Sequence, residues 1–190
     1  MNNEKYIKDA LMDFEKLLRQ QLDRAKSMES AGSPKDFTKL ETIKIGLVGG
    51  DGIGPIIMAE AKRLLEKLLE DEISSGKVLL KDIEGLTLEN RLEKGQAVPL
   101  DVLDEIKSCD VILKGPTTTP KGGTMGSANV TLRRELDLYA NVRPVKVPAE
   151  GIDWMFYREN TEGEYVLGSN GIEVPGKLAM DFKVTTDEGT

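Results

Sequence analysis

A buried strand that runs directly into a glycine-rich turn and an apolar helix constrains this chain more than any other feature. The run IKIGLVGG begins at Ile43 and reads as a strand inside a sheet. The turn ends at Pro55, which favours the first position of a helix, and the apolar pattern of that helix continues to Leu69. A strand, a turn and a helix in this order form the unit of an α/β sheet. We therefore predict an α/β fold.

The rest of the sequence predicts further elements of both kinds. Apolar residues recur at three- and four-residue steps from Tyr6 to Ala25, which indicates an amphipathic helix that Gly32, Ser33 and Pro34 end. The remaining predicted strands are Val78–Ile83, Val111–Leu113, Trp154–Arg158 and Leu178–Thr185. The remaining predicted helices are Leu86–Lys94, Pro99–Ser108 and Val130–Leu138, the last with Ser127 or Asn129 as its N-cap.

The composition narrows the chemistry that this chain performs. The sequence has 190 residues, a formal net charge of −7, no histidine and one cysteine. No apolar run approaches the roughly 20 residues of a membrane span, and the negative charge argues against nonspecific binding of nucleic acid. Cys109 alone forms no internal disulfide, and the acidic N-terminus lacks a signal-like apolar stretch, so we expect a cytoplasmic protein. Without histidine, catalysis must use carboxylates, lysine, tyrosine, hydroxyls or a hard metal ion.

Positive charge is concentrated in one segment of this acidic chain. Between residues 114 and 146, six basic side chains face only Glu135 and Asp137. The six are Lys114, Lys121, Arg133, Arg134, Arg143 and Lys146. Such a segment indicates a small anionic ligand, and the alternative is a solvated helix face followed by a loop.

The glycine turn does not predict a dinucleotide site. Glycines after a strand let a pyrophosphate approach a helix N-terminus, but Gly50, Gly52 and Pro55 do not satisfy the spacing G-x-G-x-x-G. No acidic residue closes a second strand where a ribose contact requires one. We therefore interpret residues 49–55 as a tight strand-to-helix turn without a ligand.

The stretch from Lys114 to Arg143 carries the groups that a multiply charged carboxylate needs. They are the hydroxyls of Thr118, Thr119 and Ser127, the amide of Asn129 and the guanidinium of Arg133. Asn129 and Arg133 are spaced to share one helix face. Arginine binds carboxylates through two parallel hydrogen bonds, and a helix N-terminus adds positive potential. The alternative is ordinary capping by Ser127 together with surface arginines.

A second polar block runs from Arg158 to Tyr165 and reads RENTEGEY. Arg158 is placed to extend the anion site, and Tyr165 to donate a proton if neighbouring cations lower its pKa. The alternative is a polar turn between two strands. We interpret the N-terminal helix as a packing or subunit-docking element.

Four motifs in this order resemble the isocitrate and isopropylmalate dehydrogenase family, the metal-dependent β-decarboxylating dehydrogenases. They are GDGIGP, KGPTTTP, SANVTLRRELDLYANVRPVK and YRENTEGEY. The resemblance covers about residues 43–190 and leaves residues 1–41 outside. It is strongest to the isocitrate dehydrogenases, because Ser127 and Asn129 stand as S-x-N before the L-R-R helix. Ala128 departs from the Leu usual there, and we expect it to loosen the loop that presents Ser127.

The resemblance implies a role for each matching residue. Ser127 and Asn129 would hydrogen-bond the carboxylate that distinguishes isocitrate, and Tyr165 would protonate the enolate left after decarboxylation. The other substrate-binding residues would be Lys114, Arg133, Arg143 and Arg158. The residues near the nicotinamide would be Thr118, Thr119 and Asn129.

The resemblance also implies the cofactors and partners. The dinucleotide would be NAD, with NADP as the alternative, and Mg²⁺ or Mn²⁺ would chelate the substrate hydroxyl and its neighbouring carboxylate. The family's metal-binding aspartates, catalytic lysine and adenosine-binding loop fall beyond residue 190, so we expect no metal ligand in this chain and no turnover by this chain alone. The partners would be a small tricarboxylate substrate and either a second copy or a C-terminal half subunit.

The sequence therefore predicts a two-domain fold of this family, distinct from the Rossmann fold and incomplete at its C-terminus. Its parts would be a helical extension and linker at 1–41, the first part of the large domain at 42–143 and the start of the small domain at 144–190. The leading function is NAD-dependent isocitrate dehydrogenase, which forms 2-oxoglutarate. The alternatives are an isopropylmalate, homoisocitrate or tartrate dehydrogenase and a noncatalytic regulatory or split subunit.

Overall fold

A computed structural model describes residues 3–30, 35–123, 125–167, 172–174 and 178–187. The chain forms two compact units, one of residues 35–136 and one of residues 1–34 with 137–190. The predicted boundaries at 41/42 and 143/144 stay predictions. No helix in the described residues is long and apolar enough to cross a membrane.

The unit of residues 35–136 is built on a parallel sheet of three strands, which confirms the α/β prediction. Its strands are β1 (Ile43–Val48), β2 (Val78–Ile83) and β3 (Val111–Lys114), in the order β2-β1-β3. Ile45 lies between Leu80 and Val111 in the two registers. Because β1 is the central strand, its carboxyl end is adjacent to the carboxyl ends of both neighbours.

Within the described residues of this unit, five α-helices connect and cover these strands. They are α2 (Gly54–Leu68), α3 (Glu70–Ser74), α4 (Leu88–Lys94), α5 (Leu100–Lys107) and α6 (Ala128–Glu135). The core joins Val48 and Ile83 of the sheet to the α5 residues Val102, Leu103 and Ile106. These α5 residues recur at helical spacing, so one face of the helix is buried. Burial of such side chains supplies most of the stabilisation of the unit.

Helix α6 joins the same core through Ala128 and Leu132, which are four residues apart and buried. Ala128 is 1% exposed, so the residue that departs from the family pattern packs into the core. The looser loop expected from its shorter side chain stays a prediction. Because residues follow one another by about 100° around a helix, Asn129 and Arg133 lie on the neighbouring face.

The other unit contains a long helix and two antiparallel strand pairs. These elements are α1 (Asn3–Ser30), β4 (Ala140–Val147), β5 (Ile152–Glu159), β6 (Ile172–Val174) and β7 (Leu178–Met180). Strand β4 pairs with β5, and β6 pairs with β7. The β4-β5 pair, here called the ribbon, connects through a short 3₁₀ turn at Pro148–Glu150.

Helix α3 and strand β6 were not predicted, and three further differences have a physical reason. Strand β4 was not predicted, because Pro144 lies inside it; among the described strands it pairs on one side alone, and proline is tolerated at such an edge. Helix α6 runs from Ala128 to Glu135 instead of 130–138, because Asp137 adopts a positive φ of 48°. Strand β7 ends at Met180, where the Asp181 carboxylate accepts the Phe182 N–H. The helix end predicted at Gly32, Ser33 and Pro34 lies outside the described residues.

Candidate functional site

The glycine turn after β1 packs directly against the loop that follows β3. The Gly115 N–H donates to Val48 O at 2.7 Å, and the Asp51 N–H donates to Pro116 O at 2.8 Å. Gly50 has φ +72°, and a Cβ at this position would lie 2.0 Å from Pro116 O. The close approach that these glycines permit is therefore to the chain's own backbone, as a structural turn requires.

An ion pair holds the backbone of Thr118 on both sides. The Asp51 carboxylate accepts hydrogen bonds from Leu88 N at 2.6 Å and from Thr118 N at 2.7 Å. Arg91 is fully buried, its Nη1 lies 3.6 Å from Asp51 Oδ2, and it donates to Thr118 O at 2.9 Å and to Ala97 O at 2.9 Å. Asp51 and Arg91 thus fix residue 118 while its side chain stays exposed.

Lys114, Thr117 and Asn129 form a short polar chain beside this loop. Lys114 Nζ donates to Gly115 O at 2.7 Å and contacts Thr117 Oγ1 at 3.4 Å. The Thr117 hydroxyl in turn donates to Asn129 Oδ1 at 3.2 Å. The chain links the end of β3 to the first turn of α6, so two predicted substrate-binding residues lie in one cluster.

The Lys114 ammonium has a pKa below its ordinary value. Burial of the side chain is the largest cause, since it disfavours the charged form, and the nearby cations Arg91 and Arg133 act in the same direction. Asp51 opposes them. An anionic ligand bound beside Lys114 would favour the ammonium and raise this pKa again.

Ser127 occupies the N-cap position of α6. Within the described residues, its hydroxyl makes no capping hydrogen bond to the helix. The first turn of α6 is completed by the backbone alone, with Thr131 N donating to Ser127 O at 3.0 Å. The predicted alternative of ordinary side-chain capping by Ser127 is therefore wrong. The half-buried hydroxyl keeps its hydrogen-bonding capacity for another partner.

Seven of the eight arginines of this chain fall into two groups. Within the described residues, four of them form ion pairs with carboxylates: Arg19, Arg24, Arg63 and Arg91. Three others have no carboxylate partner in the same residues: Arg133, Arg143 and Arg158. These three are the arginines that the sequence predicted for the substrate, and each leaves donors for an anionic group.

The ribbon places Arg143 and Arg158 on one face. Asn141 pairs directly with Arg158, and Arg143 lies two residues along the same strand, so the two arginines are diagonal neighbours. Arg143 Nε donates to Asn141 Oδ1 at 3.0 Å, and Arg158 Nη2 donates to Asn160 Oδ1 at 3.0 Å. Both side chains are exposed and are oriented by neutral amides, which leave their charge unneutralised.

Tyr165 follows the ribbon in a turn that Glu159 organises. The Glu159 carboxylate accepts from the backbone N–H of residues 160, 161 and 162. Burial opposes its charge, but the hydrogen bonds from Thr161 and Glu162 outweigh burial and hold the pKa of Glu159 below its ordinary value. Arg158 Cζ lies 5.4 Å from the centre of the Tyr165 ring, a cation–π contact. Tyr165 is 41% exposed.

The predicted site residues thus fall into two sets, one in each unit. The first holds Lys114, Thr118, Thr119, Ser127, Asn129 and Arg133, and the second holds Arg143, Arg158 and Tyr165. Asp51 and Arg91 were missed, since their importance depends on contacts between segments far apart in the sequence. The one available signal was the acidic residue inside the turn GDGIGP.

A separate cleft of about 510 Å³ lies at the carboxyl ends of β1 and β2. Met58, Asp82, Glu84 and Thr87 contribute to its lining, and none of the predicted site residues does. Among the described residues, no group of three or more His, Cys, Asp or Glu side chains is arranged to hold a metal ion.

Comparisons with known proteins show which family this chain is similar to. The family model for isocitrate/isopropylmalate dehydrogenase matches residues 44–190. An isocitrate dehydrogenase [NADP] from Caldococcus noboribetus is 42% identical over 134 residues, which are 66% of this chain and 30% of that protein. An isocitrate dehydrogenase [NADP] from Staphylococcus epidermidis is 32% identical over 177 residues, covering 77% of this chain and 42% of that protein.

A solved structure of an isocitrate dehydrogenase is also similar to this chain. The crystal structure of isocitrate dehydrogenase from Methylococcus capsulatus superposes with a TM-score of 0.58 at 34% identity, over 78% of this chain and 44% of that one. The chain therefore spans less than half of the length of the proteins it matches.

Proposed function

Because the chain belongs to the isocitrate/isopropylmalate dehydrogenase family, we propose that it forms the N-terminal part of an isocitrate dehydrogenase. The reaction is the oxidative decarboxylation of isocitrate to 2-oxoglutarate. The relatives named above are isocitrate dehydrogenases, which supports this member of the family over those acting on isopropylmalate, homoisocitrate or tartrate.

One observation of the structure carries the proposal. Arg133, Arg143 and Arg158 have no carboxylate partner within the described residues, whereas four arginines outside the predicted site do: Arg19, Arg24, Arg63 and Arg91. A cation without a carboxylate partner in an acidic protein is suited to bind an anionic ligand, and a tricarboxylate has three groups to offer.

We assign the remaining roles by chemistry. Ser127 and Asn129 donate hydrogen bonds to the carboxylate that isopropylmalate lacks, and Lys114 adds positive charge at the substrate. Tyr165 lies beside Arg158 and is exposed. We therefore assign Tyr165 as the donor of the proton that the enolate takes up after loss of CO₂. A noncatalytic subunit would bind the same substrate without using this proton.

The loop held by Asp51 and Arg91 fits the nicotinamide end of a dinucleotide. Its backbone is fixed on both sides of residue 118, and the hydroxyls of Thr118 and Thr119 are exposed. The bound nicotinamide would supply the hydride acceptor, while Thr118, Thr119 and Asn129 would orient it. The sequence indicates NAD, whereas the names of the relatives favour NADP, and comparison of kcat/KM for the two dinucleotides distinguishes them.

The described residues do not fit a complete metal site, because no cluster of acidic ligands is present among them. No step of the reaction is therefore assigned to a metal held by this chain. We propose that Mg²⁺ or Mn²⁺, if required, takes its carboxylate ligands from the part of the family fold that this chain does not span.

The test is a substrate panel with the complete enzyme, meaning this chain together with the remainder of the family fold. Isocitrate, isopropylmalate, homoisocitrate and tartrate are compared by kcat/KM, and 2-oxoglutarate is identified as the product. We expect isocitrate to have the highest kcat/KM. A higher value for another 2-hydroxy acid would contradict the assignment.

A further inference from the structure

The N-terminal helix α1 lies outside the family match, which begins at residue 44, yet it packs in the unit that carries Arg158 and Tyr165. The ring centroids of Phe14 and Phe182 are 4.8 Å apart, and Leu17 is 5% exposed. The apolar side of α1 is therefore attached near the C-terminal segment of the same unit. About two to three turns later along the helix, a polar contact connects α1 to the predicted site.

Arg24 makes that contact with three different acceptors. Its Nε donates to Asp137 Oδ1 at 2.8 Å, its Nη1 pairs with Glu162 Oε1, and its Nη2 lies 3.3 Å from Thr161 Oγ1. The Arg24 side chain is 17% exposed and that of Glu162 is 3% exposed. Partly buried charge pairs with several hydrogen bonds define one geometry, because a displaced partner leaves a charge without compensation.

The three acceptors flank the ribbon that carries the substrate arginines. Asp137 precedes β4, and Thr161 and Glu162 follow β5. Between these positions the Asn160 N–H donates to Tyr139 O at 2.9 Å, which continues the strand pairing toward the open end. Arg24 therefore connects the entry and the exit of the ribbon at the end where Arg158 lies.

Glu162 extends the connection to Tyr165 and to the C-terminal segment. Its carboxylate accepts from Thr186 N at 2.9 Å and from Thr186 Oγ1 at 2.7 Å. Its carbonyl oxygen accepts from Tyr165 N at 3.1 Å. A shift of Glu162 would consequently move the backbone of the residue assigned as proton donor.

We propose that Arg24 is a positioning residue for isocitrate, and that α1 serves to present it. By holding Asp137, Thr161 and Glu162 together, it sets the placement of Arg158 and Tyr165 without touching the substrate. The inference rests on the proposed function, since it uses the roles assigned to those two residues. The planar guanidinium suits this task because it reaches three acceptors from three nitrogens, which a lysine does not.

The test compares Arg24→Ala, Arg24→Lys and Asp137→Asn in the complete enzyme, with Arg19→Ala as the control. Arg19 lies on the same helix, and its ion pair with Glu15 is exposed. Asparagine tolerates the positive φ of residue 137, so Asp137→Asn removes the charge with little change of backbone. This milder variant keeps the test usable if Arg24→Ala fails to fold.

We expect Arg24→Ala to lower kcat/KM for isocitrate by roughly 10- to 100-fold, as misplaced reactive groups do. The KM for the dinucleotide should stay near the wild-type value, because Thr118 is held by Asp51 and Arg91. Arg24→Lys and Asp137→Asn should lie between Arg24→Ala and the wild type, and Arg19→Ala should match the wild type. Hydrogen exchange at residues 160–166 should be faster in Arg24→Ala than in the wild type. In Arg19→Ala it should be the same as in the wild type.

Faster exchange in Arg24→Ala with unchanged kcat and KM for isocitrate would overturn the inference, because Arg24 would then be merely structural. Unchanged exchange would overturn it as well. If the wild-type enzyme does not oxidise isocitrate, the proposed function fails first, and the kinetic role of Arg24 fails with it. An active wild type with an unaffected Arg24→Ala variant refutes the inference alone.

Discussion

At the scale of single residues, the structure separates the groups that hold the site from the groups that would bind the ligand. Asp51 and Arg91 are buried and occupied by hydrogen bonds to backbone. Arg133, Arg143 and Arg158 are partly or fully exposed and lack carboxylate partners in the described residues. Substitutions in the first group should change stability, and substitutions in the second should change binding.

Asp51→Asn should therefore destabilise the protein by about 3–5 kcal/mol, because it leaves the buried Arg91 without its charge partner. The side-chain amide of the asparagine would also lie against the two backbone N–H groups that donate hydrogen bonds to the carboxylate in the wild type. Urea unfolding measures the loss. The control is Asp101→Asn, whose ion pair with Lys94 is exposed and should contribute almost nothing. Equal stability of the two variants would contradict the importance of the buried pair.

The lowered pKa of Lys114 predicts a proton uptake on substrate binding. A carboxylate bound beside Lys114 favours the ammonium, so it raises the pKa back toward the ordinary value. Binding should thus take up protons at a pH between the pKa of Lys114 in the free protein and its pKa in the complex. The affinity for isocitrate should fall as the pH rises through the same interval. Calorimetric titrations in buffers of different ionisation enthalpy measure the uptake. Lys114→Met should abolish it, and the exposed control Lys121→Met should not; uptake that persists in Lys114→Met would rule out this residue.

At the scale of elements, the site depends on close packing between the turn after β1 and the loop after β3. The two segments share hydrogen bonds in both directions, and a glycine stands at each close approach. Strand order makes this possible, because β1 and β3 are adjacent and parallel, so both segments leave the sheet at the same edge.

Two alanine substitutions in one turn separate backbone conformation from packing. Gly50 and Gly52 both have positive φ, but a Cβ at Gly52 would have no atom within 4 Å, while one at Gly50 would overlap Pro116 O. Gly52→Ala should cost about 1–2 kcal/mol for the left-handed conformation. Gly50→Ala should cost about 1–3 kcal/mol more for the overlap. Thermal unfolding with both variants checks this, and a Gly50→Ala variant as stable as Gly52→Ala would show that the turn and loop do not pack closely.

The sequence predicted the elements whose signal is local. Strand β1, helix α2 and strand β2 were confirmed because each has a strong apolar pattern with a glycine or proline at its boundary. Strand β4 was not predicted, because Pro144 lies within it. Whether a strand tolerates proline depends on which neighbouring strands pair with it. The site behaved in the same way. The residues that we propose for the ligand were predicted from motif order, whereas Arg91 and Arg24 make their contacts with distant segments of the chain.

At the scale of the whole molecule, apolar side chains remain exposed where the ribbon has no described neighbour. Trp154 and Phe156 are exposed on one face of the ribbon, and Met155 and Tyr157 on the other, each by 49% or more. Exposed apolar strands recruit partners. A homo-oligomer, or association with the remainder of the family fold, would cover this surface.

We therefore expect the 190-residue chain alone to self-associate. Size-exclusion chromatography with multi-angle scattering measures the association. Phe156→Lys and Tyr157→Lys should shift the chain toward monomer, and Leu100→Lys, at an exposed position on α5, should not. A monodisperse wild-type monomer with even hydrogen-exchange protection along the ribbon would contradict this expectation.

The central claim is that this chain supplies the residues that read the third carboxylate of isocitrate, and the effect of Ser127 on substrate choice tests it most directly. The measurement is the ratio of kcat/KM for isocitrate to kcat/KM for isopropylmalate in the complete enzyme, for the wild type, Ser127→Ala and the surface control Ser108→Ala. Loss of a donor to a charged ligand costs about 1.5–3 kcal/mol, so the ratio should fall by roughly 10- to 150-fold in Ser127→Ala and stay unchanged in Ser108→Ala. A ratio that is the same in the wild type and Ser127→Ala, or that favours isopropylmalate in the wild type, would contradict the claim.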